Sequence, residues 1–270
     1  MRDPVALLMR LLAMAGWILM LAPLFVVVGL ALNAAEVLAF PPRQVSLRWF
    51  GEALGHPVFM ASLWTSLTLA AATTVLALVL GTTAALGLAR LGRKGALAAA
   101  IMTAPILMPG MVIGFAIYLF YVWSRLGLTG SFAGLLAGHV LVATPWVITT
   151  VLAAARRLDP ALPEVARSLG AGPATLFRRI TLPGLAPGIV AGGIFAFVVS
   201  FSQFEVSLFL GTTERTPLPV ALFTALLNRS EPIVAAVGVL AILIVVAALA
   251  LVNRLFSVSA LFGGPTSRQP

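Results

Sequence analysis

The sequence has no cysteine, only two histidines and very little charge. Without cysteine there is neither a disulfide nor a thiolate metal site. His56 and His139 lie far apart with no ligand spacing between them. Charged residues make up 9% of the chain and hydrophobic residues 61%, whereas soluble domains carry about a quarter charged residues. The mean hydropathy is +1.09. No soluble core hides that much apolar surface, and charge is missing over stretches long enough to cross about 30 Å of hydrocarbon. The solvent for most of the chain is lipid. A net charge of +9 is no sign of a nucleic-acid partner here, because the basic residues fall in short clusters between apolar runs rather than on one basic face.

What is present is a series of six apolar runs, predicting an all-α integral membrane fold. They are Leu11 to Leu32, Ala61 to Leu88, Ala96 to Val122, Phe132 to Ala153, Gly188 to Leu210 and Val234 to Val252. The first is too long for a signal-peptide core and lacks a clean small-x-small cleavage site, so it is expected to stay as an uncleaved anchor. The third contains Pro105, Pro109 and Gly110, and the fourth Pro145; proline at depth is tolerated where neighbouring helices or water satisfy the freed carbonyls. Of the 17 Lys and Arg residues, one alternating set of loops holds twelve. The other set, with Arg43, Arg48, Arg125, Arg215 and Arg229, holds five. The positive-inside rule places the richer set in the cytoplasm, and with it both termini and the segment Arg156 to Pro183. The expected organisation is an N-terminal span and periplasmic loop over 1–60, a transmembrane core over 61–258 with a cytoplasmic loop at 156–183, and a flexible tail over 259–270.

Arg156 to Pro183 packs five arginines, Asp159 and Glu164 between apolar spans. Leu162, Val165, Ala166 and Leu169 recur at i, i+3, i+4 and i+7, giving a short helix one apolar face. Asp159 or Leu162 opens it, Pro163 fits its first turn, and Gly170-Ala171-Gly172 breaks it. Pro173 then starts a second helix, Ala174 to Arg179, at its N1 position. Periodicity alone leaves two readings of the first helix: a connector packed on its own bundle, or a surface offered to a soluble partner.

Glu164-Val165-Ala166, three residues, Gly170, nine residues, Ile180, one residue and Leu182-Pro183 resemble the signature loop of binding-protein-dependent ABC importer permeases. Every spacing agrees, and Val165 stands where the pattern has its first alanine. The resemblance covers roughly Ser62 to the end of the sixth span. It implies a type I ABC importer permease architecture in the bacterial inner membrane. It also implies a coupling helix docked in a cleft of a separate ATPase, with Glu164 paired to a basic residue there and Gly170 permitting the turn and a close approach. The same glycine reads equally as a helix C-terminal cap. The implied partners are two ATP-binding cassette subunits, a second permease and a periplasmic binding protein.

The chain itself lacks a phosphate loop. In Gly87 to Lys94 an arginine, Arg93, stands where the motif needs lysine, and Lys94 stands where it needs a hydroxyl. No cofactor is therefore expected on this chain, and ATP with its magnesium belongs to the partner.

Ser200-Phe201-Ser202-Gln203-Phe204, with Pro183 to Val190 and Leu218-Pro219-Val220, resembles the polyamine and opine branch. That branch usually has Ser-Phe-Asp-Glu-Phe at this point; here Ser202 and Gln203 replace both acids. Glu205 remains as a carboxylate near the end of a span, either in the solute pathway or at the membrane interface, where its cost is small. Deep in the bilayer an acid of this kind costs about 2.5–3.5 kcal/mol on insertion scales. Ser200, Gln203 and Ser207 share a helical face that Pro109 and Gly110 can oppose across a cavity, although serines in spans also serve as interhelical glue. The expected pathway residues are Pro109, Gly110, Ser200, Gln203 and Glu205, and the expected solute is a small polar one of the polyamine, opine or aminoalkylphosphonate kind. Gly110-x-x-x-Gly114 and Gly188-x-x-x-Gly192 read as packing motifs. Two rivals are a membrane-embedded enzyme, which needs paired acids or a serine with a base, and a passive channel, which needs no ATPase.

Overall fold

A computed structural model describes residues 4–159, 161–212, 215–228 and 232–256. Arg2, Arg229 and the expected tail lie outside the described residues. Those described form helices with no strand among them, apart from one isolated antiparallel bridge between Asn33 and Val45. Five helices are long and apolar enough to cross a membrane, and a bent helix pair makes a sixth. The contacts divide the chain into two compact units, Met1–Ala61 with Ala221–Val245, and Ser62–Val220 with Val246–Pro270.

In the first unit α1 (Pro4–Ala31) is followed by a turn-back that ends in a short helix, α2 (Arg48–Gly55). Asn33, only 2% exposed, organises this turn. Its side-chain amide donates to the Ala39 carbonyl at 2.8 Å, and its own carbonyl accepts from the Trp49 indole at 2.8 Å. On α2 the Arg48 guanidinium donates to Glu52 at 2.6 Å. The sequence predicted only an irregular loop here. The helix is short, and its apolar and charged residues alternate too briefly to stand out.

The second unit carries the core. It contains α3 (Pro57–Arg90), from Ser62 onward, and α4 (Gly92–Thr103), which is followed by a 3-10 turn over Ala104–Leu107. Next come α5 (Gly110–Ser124), α6 (Phe132–Arg157), α7 (Ala161–Ser168) and α8 (Pro173–Leu176). A π-helical turn over Phe177–Thr181 leads into α9 (Leu182–Ser202), followed by α10 (Glu205–Leu210). Both α11 (Leu218–Asn228) and α12 (Pro232–Phe256) supply residues to each unit.

Small residues set the packing of α3, α6 and α9, where Ala77, Ala85, Ala143, Val147, Val151 and Ala196 are buried together. In lipid the drive to associate comes from close backbone approach rather than from hydrophobic burial. A Cβ on Gly188 would lie 2.7 Å from the Ala154 Cβ and from the Thr150 carbonyl, and one on Gly192 would lie 2.7 Å from Thr150 Oγ1. One on Gly114 would lie 2.9 Å from the Glu205 carbonyl. The Gly188 and Gly192 pair is a packing feature, as expected, and so is Gly114.

Two expected spans are corrected. The third is no single rod: the helices on either side of Met108-Pro109 meet at 103°. Pro109 is the N-cap of α5, where its missing N–H costs nothing and its ring prevents α4 from continuing. The fifth ends at Ser202, and Gln203-Phe204 separates it from α10. At its other end the loop and the span are continuous, because the segment from Pro173 to Ser202 forms one apolar stretch of 30 residues.

Candidate functional site

Asp159 accepts the Ala161 amide at 2.9 Å through its carboxylate and opens α7. At the other end Gly170 adopts φ +82°. Its amide donates to the Arg167 carbonyl and that of Ala171 donates to the Ala166 carbonyl, both at 2.9 Å. That pair of bonds is a Schellman cap, which requires a left-handed residue at the Gly170 position. A Cβ added there would meet nothing within 4 Å, so conformation rather than space selects glycine within this chain.

Among the described residues nothing buries the apolar stripe of α7. Leu162, Val165 and Leu169 are 50%, 57% and 83% exposed, and the helix has no buried residue. A connector packed on its own bundle would bury that stripe. Glu164 lies in the first turn, where the helix dipole favours a carboxylate, and it makes no ion pair among the described residues. Ile180 sits in the π turn and Leu182-Pro183 begins α9. The seven-position motif is thus spread over a bare helix, a cap and the joint into a long span.

A cavity of about 260 Å³ brings together four polar residues or close-approach positions: Gly110, Ser202, Gln203 and Glu205. Its apolar wall includes Pro105, Val142, Trp146 and Val199. The Gln203 side-chain amide donates to a Glu205 carboxylate oxygen at 3.3 Å. A Cβ on Gly110 would lie 3.0 Å from the Glu205 carboxyl carbon, so the missing side chain lets that carboxyl lie against the first turn of α5. The free N–H groups of a helix N-terminus suit a carboxylate there. Pro109 starts α5 without lining the cavity.

Ser200 is placed differently from its expected role in the pathway. It is 3% exposed and its hydroxyl is 2.9 Å from His139 Nδ1. His139, fully buried, has its Nε2 3.0 Å from the Ser207 hydroxyl. Ser207 donates to the Gln203 carbonyl at 2.6 Å, so in the neutral imidazole Nε2–H donates to Ser207 and Nδ1 accepts from Ser200. The three side chains tie α6, α9 and α10 across the break in the fifth span. Sequence reasoning missed this cluster, although a histidine inside an apolar span is itself a signal. The pairing of serine and histidine is not a catalytic one, because both hydroxyls are sealed and engaged and no carboxylate among the described residues orients the ring.

A family model described as "Binding-protein-dependent transport system inner membrane component" matches residues 77–258. The putrescine transport system permease protein PotI of Escherichia coli (strain K12) is 32% identical over 232 residues, 83% of this chain and 82% of that protein. The molybdenum transport system permease protein ModB of Mycobacterium tuberculosis (strain ATCC 25618 / H37Rv) is 32% identical over 237 residues, 81% and 89% of the two chains. Among solved structures, a chain of a bacterial ABC transporter that imports the acidic polysaccharide alginate matches with a TM-score of 0.69 at 18% identity. The match covers 93% of this chain and 96% of that one, and at that identity it speaks for the fold alone.

Proposed function

The chain belongs to the family of binding-protein-dependent transport system inner membrane components, and from that premise we propose that it forms half of an alternating-access pathway for a small amine-bearing solute. It is a multi-pass ABC importer permease subunit with the type I architecture. In this reading a second permease supplies the other half. Two ATPase subunits dock on the cytoplasmic side, a periplasmic binding protein delivers the solute, and both termini face the cytoplasm of a bacterial inner membrane. ATP hydrolysis, with its magnesium, takes place on the partner.

The observation that carries the reading is the bare apolar stripe of α7, which a capped turn over 169–172 joins to the helical stretch that runs from Pro173 through the π turn into the fifth span. Burying a leucine or valine side chain fully is worth about 1.5–3 kcal/mol, so three that are half or more exposed are worth several kcal/mol to a soluble partner. Force applied there reaches α9 through the Schellman-capped turn over 169–172 and the helical stretch from Pro173, and α9 carries Ser202 of the cavity. Closure of the ATPases then becomes a rigid-body rocking of the spans. Glu164, Val165, Ala166, Gly170, Ile180, Leu182 and Pro183 serve the coupling, and Gly110, Gln203 and Glu205 meet the solute.

Relatives named for putrescine and for molybdenum are equally identical to this chain, so identity does not choose the solute. The cavity supports an amine, because its one carboxylate and one side-chain amide suit an ammonium group. The test is ATP-dependent uptake by the reconstituted complex of a diamine, an opine, an aminoalkylphosphonate and a neutral sugar. An amine-bearing compound should be taken up, and both Glu205→Gln and Gln203→Ala should raise its half-saturating concentration. Uptake of the sugar alone, or amine uptake untouched by either change, would refute the assignment.

A further inference from the structure

A second cavity, of about 410 Å³, lies between α6 and α9 at the end that carries Arg157. Its walls include Thr150, Ala153, Arg157, Gly188, Ala191 and Phe195. On α6 the residues lining the two cavities are Val142, Trp146, Thr150, Ala153, Ala154 and Arg157. On α9 they are Gly184, Pro187, Gly188, Ala191, Phe195, Val199 and Ser202. Apart from the adjacent pairs Ala153-Ala154 and Pro187-Gly188, both sets recur at steps of three and four, so each occupies one face of its helix. The two cavities therefore follow one another along the same face of each helix, from the coupling-loop end to Gln203 and Glu205.

Between them stand two rings. Trp146, which lines the carboxylate cavity, stacks on Phe195, which lines the other, with centroids 5.5 Å apart and planes at 25°. The helices themselves are held close here, because Gly188 and Gly192 leave no room for even a methyl group against α6. Phe195 is 44% exposed, so its ring is not enclosed by the packing that fixes the two backbones.

We propose that Trp146 and Phe195 form a gate that separates the carboxylate cavity from a vestibule on the coupling-loop side. The inference rests on the solute route proposed above. A polar solute leaving Glu205 meets two apolar faces that offer nothing to its hydration shell, and it passes only when the rings part. A rocking of α9 driven from the π turn moves Phe195 relative to Trp146 and so links gate opening to the ATPase cycle.

The absence of native cysteine makes the test direct. Ser202→Cys reports the upper cavity and Ala153→Cys the vestibule, each in the assembled importer in inside-out vesicles without nucleotide. The probe is a charged, membrane-impermeant methanethiosulfonate. Ala153→Cys should react readily and Ser202→Cys at least tenfold more slowly. Adding Phe195→Ala should accelerate labelling at 202 at least tenfold and leave 153 unchanged. Trp146→Phe, which keeps a ring and guards against misfolding, should leave 202 slow. Rapid labelling of 202 with both rings in place, or no acceleration by Phe195→Ala, overturns the gate while leaving the route standing. Failure of 202 to label from either face of the membrane, in any nucleotide state and with either ring removed, overturns the route and the gate together.

Discussion

Replacing Gly170 tests the coupling loop through backbone conformation alone. The residue sits at φ +82° with open space around its missing Cβ, so a Cβ there clashes with none of the described residues. A left-handed conformation costs an ordinary L-residue about 1–2 kcal/mol, and valine is a worse case because it is β-branched. The helix it caps has eight residues and no buried side chain, and isolated helices shorter than about 12 residues are marginal in water. The cap is therefore a main support of α7. A loss of one to two kcal/mol shifts the ratio of capped to frayed helix by about 5–30-fold. Asparagine tolerates the left-handed region, so the expected order of function is glycine, asparagine, alanine, valine. The assay is solute uptake and solute-stimulated ATP hydrolysis in proteoliposomes at matched complex yield. Gly170→Val should insert with normal topology, since it lies outside every span, yet retain less than about a tenth of both activities. Wild-type activity in Gly170→Val would refute the argument. So would a loss in Gly170→Asn as deep as that in valine, since space rather than conformation would then decide.

Two further outcomes are expected. His139→Ala removes the partner of two sealed hydroxyls and should destabilise the bundle by about 1–2 kcal/mol, within the range for interhelical hydrogen bonds in membranes. Its thermal midpoint in detergent should fall, with His139→Gln intermediate, and an unchanged midpoint would contradict the structural role. For topology, a tag inserted near Arg215 should be accessible from the periplasm and one near Gly172 from the cytoplasm only; reversed labelling would overturn the orientation.

The apolar runs were legible because length and hydropathy dictate a span whatever packs against it. Their interruptions were less so. Pro105, Pro109 and Gly110 marked a weak point in the third span, but the 103° bend depends on what α5 packs against. Ser202-Gln203-Phe204 contains neither glycine nor proline, so nothing local announces the end of α9. The break is held instead by Ser207 on the Gln203 carbonyl and by His139 on both serines, 61 and 68 residues apart in sequence. For the same reason Ser200 read as a pathway residue: its helical face was visible and its partner was not. Glu205, Gln203 and Gly110 were anticipated together, because a carboxylate, an amide and a close-approach glycine are unusual enough in apolar runs to stand out singly. The loop motif was the most legible feature of all, since its capping glycine and apolar stripe are local.

Engagement of α7 by an ATPase is the central claim, and a single cysteine tests it most directly. Leu169→Cys places the chain's only thiol on the most exposed position of the stripe, 83% exposed in the wild-type chain. In the complex copurified with its ATPase, a short bifunctional thiol reagent should join this residue to the ATPase chain, with a yield that changes between nucleotide-free and ATP-bound states. A thiol at 169 that reacts freely with small reagents yet never cross-links to the ATPase, in any nucleotide state, would contradict the account.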